Sequence, residues 1–229
     1  MLNVSKGNMY QFITHTWNPI KGKCSHDCSY CYMKQIAPEA NAPRMAEYEF
    51  DTKLGNGNFI FIGSSTDMFA NNIPSEWITR VLDYCKQEYD TGRRNAFLLQ
   101  TKNPKRFLEF INHPITKRCV FGTTIETNRF YPEIMRNAPR IEERVEAMEE
   151  VANLGFATMV TAEPLMQFDL EPMLEYINRC QAKKVNIGRN SCRSIVLQEP
   201  TKEEVKQLIY ELKDITKVEV KNNAKVWLA

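Results

Sequence analysis

Short apolar runs alternate with amphipathic, helix-length segments along nearly the whole chain, and that alternation limits the folds open to it. The runs are residues 10–16 (YQFITHT), 58–63 (NFIFIG), 95–101 (NAFLLQT), 118–125 (RCVFGTTI), 157–162 (ATMVTA) and 184–188 (KVNIG), with 217–221 (KVEVK) as a candidate seventh. Each is bounded by polar or glycine-containing turns, as strands buried in a parallel sheet tend to be. Between them, residues 74–89 put Trp77, Ile78, Val81, Leu82 and Cys85 on one face behind Ser75 and Glu76, the pattern of an amphipathic helix. A proline opens a short helix over 104–111. Residues 141–154 place Ile141, Val145, Met148, Val151 and Ala152 on one side and stop at Gly155, a helix-ending residue. Two more helices are expected over 170–180 and 201–212. Strand–helix alternation means a parallel sheet with crossover helices, and six such units make a partial or complete barrel. Residues 38–49 carry few large apolar side chains and read as a loop or irregular helix.

The chain has 229 residues, 43% of them hydrophobic, enough to bury a core without staples. No linker, repeat or low-complexity tract interrupts it. One domain over residues 1–229 is expected, with a loop at 17–34 after the first run and a final helix and strand over 200–229. A net charge of +2 sets up no global basic field for nucleic acid, though a local patch stays open. No apolar run approaches the ~18 residues of a membrane span, and the opening MLNVSKGNMYQ lacks a signal-peptide core. The expected compartment is the cytoplasm.

Seven cysteines are present. An odd count in a mid-sized cytosolic chain argues against a disulfide framework and for a metal or redox site. Cys24, Cys28 and Cys31 crowd into the segment WNPIKGKCSHDCSYCYM, directly after the first run; Cys85, Cys119, Cys180 and Cys192 are scattered. The spacing is C-x-x-x-C-x-x-C. Thiolates are the usual ligands of iron–sulfur clusters, and three in one loop can hold three irons of a four-iron cube, leaving the fourth open. A zinc site is the alternative, with His26 or a distant cysteine as fourth ligand. Tyr30, just before the last cysteine, is placed to line a nucleotide pocket.

C-x-x-x-C-x-aromatic-C after the first strand is the signature of the radical S-adenosylmethionine (SAM) superfamily, which this chain resembles. More narrowly, it resembles radical-SAM-like proteins common in phage and prophage genomes, through THTWNPIKGKC, CSYCYM, GSSTDMF, LLQTKNPKRF, FGTTIETNR, TAEPL and VNIGRNS. The resemblance implies an α/β fold: a six-stranded, partial TIM-like barrel of parallel strands with outer helices. It places the active site at the C-terminal strand ends. It also implies two cofactors, a 4Fe-4S cluster on Cys24, Cys28 and Cys31 and S-adenosyl-L-methionine chelating the open iron. One electron from the cluster then breaks the sulfonium carbon–sulfur bond, and the 5′-deoxyadenosyl radical released abstracts a hydrogen atom. An electron donor such as flavodoxin or ferredoxin is the implied partner, and a phage-encoded copy would work in the host cytoplasm.

Further candidates follow from strand ends. Gly63, Ser64, Ser65 and Asp67 stand where the superfamily binds the SAM amino group, although the usual Gly-Gly-Glu is replaced by GSSTD; an ordinary capped turn is the alternative. Thr124 and Glu126 close the fourth run as candidate cofactor contacts, with Glu126 placed to accept from ribose hydroxyls or to take part in substrate binding. Lys102 and Glu163 close the third and fifth and are candidates for catalysis or substrate binding. Glu126 and Glu163 can equally form salt bridges with Lys102 or a nearby arginine. Gly188, Arg189 and Asn190 close the sixth, where the superfamily contacts adenine, though Arg189 also fits a surface charge. Cys192 is a hydrogen donor to a substrate radical or a structural thiol. Lys102, Lys105, Arg106, Arg189 and Arg193 form a basic rim able to hold phosphates. Three functions remain open: radical chemistry on a DNA base or nucleotide, such as a modified thymine; the same chemistry on a peptide or small metabolite; or a non-catalytic zinc or cluster module.

Overall fold

The computed structural model describes residues 1–39, 41–192 and 194–229. Its strands are β1 (Asn3–Val4), β2 (His15–Trp17), β3 (Ile20–Lys21), β4 (Arg44–Met45), β5 (Phe59–Ile62), β6 (Ala96–Thr101), β7 (Cys119–Thr124), β8 (Ala157–Ala162), β9 (Lys184–Ile187) and β10 (Lys217–Val220). Its helices are α1 (Met33–Ile36), α2 (Ser75–Asp90), α3 (Phe107–Phe110), α4 (Pro132–Met135), α5 (Ile141–Asn153), α6 (Leu170–Arg179) and α7 (Lys202–Leu212).

One open sheet runs in the order β1-β2-β5-β6-β7-β8-β9-β10. Its strands are parallel from β2 to β10, and β1 is added antiparallel at one edge. The strand count therefore exceeds the six expected. Residues 217–220 pair in full register with 184–187, which makes the candidate seventh run a true sheet edge. Side chains alternate across a strand, and the alternation divides the core. Ile60, Ile62, Phe97, Leu99, Phe121, Val160 and Val185 meet the helices in one large apolar cluster. Phe61, Leu98 and Met159 point to the opposite, inner face.

The first run departs most from expectation. Of residues 10–16 only the end pairs as a strand. Tyr10 and Ile13 instead lie on the inner face against Phe61, Leu98 and Met159, and the Ile13 amide donates to the Tyr10 carbonyl at 3.0 Å to close a turn. The inner face of an open sheet has no helices to cover it, so these apolar side chains do so. Residues 5–13 thereby form a strap. At one end β1 lies on β2, and the Ser5 amide donates to the Thr14 carbonyl at 2.8 Å. Farther along, Asn8 donates to Glu163 beyond β8 at 2.9 Å and accepts from the Asn223 amide beyond β10 at 3.3 Å. The strap thus spans from one side of the sheet to the other.

Within the expected loop, residues 44–49 carry regular structure: β4 pairs with β3, and a 3-10 turn follows over Glu47–Asp51. Among the described residues no helix is long and apolar enough to cross a membrane.

Candidate functional site at the C-terminal strand ends

A cleft of about 1310 Å³ opens at the C-terminal ends of the parallel strands. The loop after β2 carries all three clustered cysteines into its wall. Gly22 lets that loop turn: its φ is +114°, and a Cβ there would sit 2.6 Å from the Ala42 carbonyl oxygen. The loop is then fastened from two sides. The Ser29 amide donates to the Ile134 carbonyl at 2.9 Å, and the Asn137 amide to the His26 carbonyl at 3.1 Å. Asp27 gathers Lys23, Lys34 and Arg136. Burial alone would raise the Asp27 carboxyl, but the hydrogen bonds from these cations hold it well below the usual range.

Asp67 joins the cysteine loop to two strands. His26 Nε2 lies 2.9 Å from its Oδ2, which also accepts from Thr101 Oγ1 at 2.9 Å and the Lys102 amide at 3.0 Å, while Oδ1 accepts from the Phe69 amide. Gly63, at φ +77°, bends the strand end towards it. Asn18 Oδ1 accepts from the Ser65 amide and from Ser64 Oγ, and the Tyr32 hydroxyl donates to the Ser64 carbonyl. The GSSTD turn is thus a preorganised part of the wall, with Asp67 engaged inside the protein.

Tyr30 donates its hydroxyl to Glu126. Glu126 is fully buried and meets the equally buried Arg144 of α5 at 2.8 Å, with Lys102 Nζ at 3.9 Å. Burial, reinforced by the negative charge of Glu126, pushes the Tyr30 phenol well up. Glu126 therefore takes up the salt-bridge option left open by the sequence: it sits behind the cleft and orients Tyr30 and Lys102. Glu163 faces the cleft, paired with Lys221 and accepting from Asn8 and Asn223. Gly188 makes room for it, since a Cβ there would lie 2.6 Å from the Glu163 carboxyl carbon.

The cleft brings together Cys24, Cys28, Cys31, Tyr30, Gly63, Ser64, Ser65, Asp67, Lys102, Thr124, Glu163 and Asn190. Arg189 lies outside the wall, bound to Glu199. Asn190 donates to the Cys192 and Ile195 carbonyls and shapes the loop after β9. Cys192 is buried against Cys28, Tyr30 and Met166. The expected basic rim does not form as drawn. Arg106 donates to the Ala70 and Ile73 carbonyls, Lys105 is exposed away from the cleft, and Arg193 lies outside the described residues. Lys221, Asn8, Tyr10 and Gln100 all line the wall and were missed. Asn8 and Tyr10 come from the strap, where nothing in the local sequence marks a site; Gln100 is the next-to-last residue of β6 and Lys221 follows β10, positions at strand ends like those of the other candidates.

The donor set suits an iron–sulfur cluster. Three thiols of one loop face one cleft, close enough that Cys28 and Cys31 add to the elevation of Cys24, which burial chiefly pushes up to about 11. Among the described residues no three Cys, His, Asp or Glu side chains converge on one point as a single-ion site requires; a cube takes one thiolate per iron instead. His26, the candidate fourth zinc ligand, is held by Asp67.

A family model described as Protein of unknown function (DUF5131) matches residues 8–191. No curated protein matches the chain. Among solved structures, spore photoproduct lyase complexed with dinucleoside spore photoproduct is similar at TM-score 0.58 and 12% identity, over 94% of this chain and 65% of that one. SuiB of Streptococcus suis bound to S-adenosylmethionine is similar at TM-score 0.65 and 11% identity, over 90% of this chain and 49% of that one. The same protein bound to precursor peptide SuiA gives 0.63 and 12%, over 89% and 48%. The chain thus spans 65% of the lyase and about half of SuiB. At these identities the likeness is one of fold: a mostly parallel sheet with helices on one face.

Proposed function

This chain belongs to the DUF5131 family, and from the site it carries we propose that it is a radical SAM enzyme acting on a base in DNA. The observation that carries the reading is the delivery of three thiols from one loop into a cleft at the C-terminal strand ends. Cys24, Cys28 and Cys31 would hold a 4Fe-4S cluster. That group, with S-adenosylmethionine, supplies reductive carbon–sulfur cleavage and a primary carbon radical. The protein's part is positioning and shielding. Gly63, Ser64 and Ser65 offer close backbone approach and hydroxyls to the ammonium end of SAM, while Asp67 fixes the distance between that turn and the cysteine loop. Thr124 and Asn190 offer polar contacts to the nucleoside part. Lys102, held by Glu126 over the Tyr30 ring at 5.3 Å, keeps a cation beside the thiols. Glu163 and Lys221 stand on the far wall, facing the substrate.

The DNA assignment draws support from the dinucleoside ligand of the similar lyase. A peptide is the second reading, since SuiB binds a precursor peptide on the same fold. A reduced protein donor such as flavodoxin would supply the electron. Anaerobic reconstitution of the wild type should give about four irons per chain and slow SAM cleavage to 5′-deoxyadenosine without substrate. Cys28→Ala should lose both. Stoichiometric zinc with no iron uptake would rule the reading out. Deuterium transfer into 5′-deoxyadenosine from labelled DNA, as against labelled peptide, decides the substrate.

A further inference from the structure

The cleft wall is divided electrically. Lys21, Lys23, Lys34, Lys102, Arg136 and Lys221 each lie within ion-pair distance of a carboxylate. Lys6 of the strap and Arg44 of β4 also line the cleft and are exposed. Among the described residues neither has an ion-pair partner; of the carboxylates lining the cleft, Glu39 is likewise exposed and unpaired, leaving two free cations to one free anion. The two cations come from separate segments of the mouth. An uncompensated cation at a cleft mouth is available to an anionic ligand in a way a paired one is not.

The inner wall is different. Tyr10, Phe61, Gln100 and Thr161 line it and carry no charge themselves; the mutually paired Lys221 and Glu163 stand beside them, with Lys221 Nζ 4.7 Å from the Tyr10 ring centre. Tyr10 donates to Gln100 Oε1 and shares a hydrogen bond with Thr161 Oγ1, both at 2.8 Å. Gln100 Nε2 donates to Thr124 Oγ1 at 3.4 Å, which leaves its second N–H free for a ligand. Burial pushes the Tyr10 phenol far up, so it stays a neutral donor.

A floor of aromatic and amide surface whose flanking charges are paired with each other, together with a net excess of free cations on the cleft lining, fits a neutral hydrogen-bonding group carried on an anionic chain. We propose that Lys6 and Arg44 hold phosphates of a nucleic-acid strand whose target base rests on the floor beside Gln100. The inference rests on the DNA reading above and moves the phosphate contacts away from Lys105 and Arg106, to the mouth. A base in a duplex would have to leave the stack to reach this floor, so single strands are the direct probe.

The test is fluorescence anisotropy of a labelled thymidine strand about 12 nucleotides long, titrated against reconstituted protein at several salt concentrations. Lys6→Ala with Arg44→Ala should weaken binding about tenfold near 0.1 M salt. It should reduce the slope of log K against log salt by about 1.4, as loss of two single-strand phosphate contacts requires. Lys6→Arg with Arg44→Lys should bind as the wild type does. Lys105→Ala should change nothing. Gln100→Leu should narrow the preference for the thymidine strand over an abasic strand of equal length while keeping the salt slope. Unchanged affinity and slope in the double alanine variant would overturn the proposal, as would an equal loss in Lys105→Ala. Iron content and substrate-free SAM cleavage, read on the same samples, report the radical SAM reading separately. Their failure with the salt effect intact, or the reverse, tells which inference is wrong.

Discussion

Glu126 and Arg144 meet at 2.8 Å with no exposed surface on either side chain. A buried ion pair leans on further hydrogen bonds to its remaining donors and acceptors. Here Arg144 Nε and Nη1 also donate to the Pro139 and Thr124 carbonyls and Glu126 accepts from Tyr30, while Arg144 Nη2 is buried without a partner. Removing one partner strands the other charge, at a cost of about 3–5 kcal/mol. Arg144→Met should therefore lower the melting temperature of the metal-free protein sharply, and adding Glu126→Gln should restore part of the loss. Equal melting of single and double variants would mean that the pair is not coupled. That the three clustered cysteines share one cleft wall was legible because their spacing confines them to one loop. The Glu126 pair was legible only by half: its carboxylate stands at a strand end, but Arg144 lies 18 positions away on a helix whose sequence marks it as one charge among several. Arg189 misled for a related reason. Its place after a strand suggested the cleft, while Glu199, ten positions on, draws it aside.

At the level of elements, α7 begins with a reciprocal cap: Thr201 Oγ1 accepts from the Glu204 amide, and the Glu204 carboxylate accepts from the Thr201 amide. Thr201→Ala should cost about 1 kcal/mol, seen as a shift in the denaturation midpoint at pH 7. The amide and hydroxyl of Thr201, with Gln167, hold the Glu204 carboxyl below its ordinary value. Its contribution is therefore present above the unfolded value and is lost as pH falls through the folded one. Glu204→Gln should lie closest to the wild type in acid. The helices that pack on the sheet were legible from periodicity, because each buries one stripe. Residues 157–162 were read to their ends, since Ala157 and Ala162 border turns. Residues 10–16 were not, because an apolar run has the same composition whether it pairs with a neighbour or lies across a sheet. Only the partner face distinguishes the two, and that face is made by Leu98 and Met159, far along the chain.

For the whole molecule, the open sheet depends on the strap for cover. Deleting residues 1–9 removes β1 and the Asn8 bonds to Glu163 and Asn223. Amide exchange should then quicken in β9, β10 and residues 221–224, with β6 and β7 unchanged and iron uptake retained. Uniform quickening across the sheet would indicate that the strap supports the fold globally. The partners that fasten it also set an order of events. Asn8 is 155 positions from Glu163 and 215 from Asn223. At ribosomal speeds of about 5–20 residues per second, Asn8 waits roughly 10–40 s for its last partner. During that interval the cysteine loop has already been synthesised, while the face beside it remains unlatched. Until Asn223 is made, the strap over the inner face of the sheet is held at its β1 end and, of these far fastenings, by Glu163 alone.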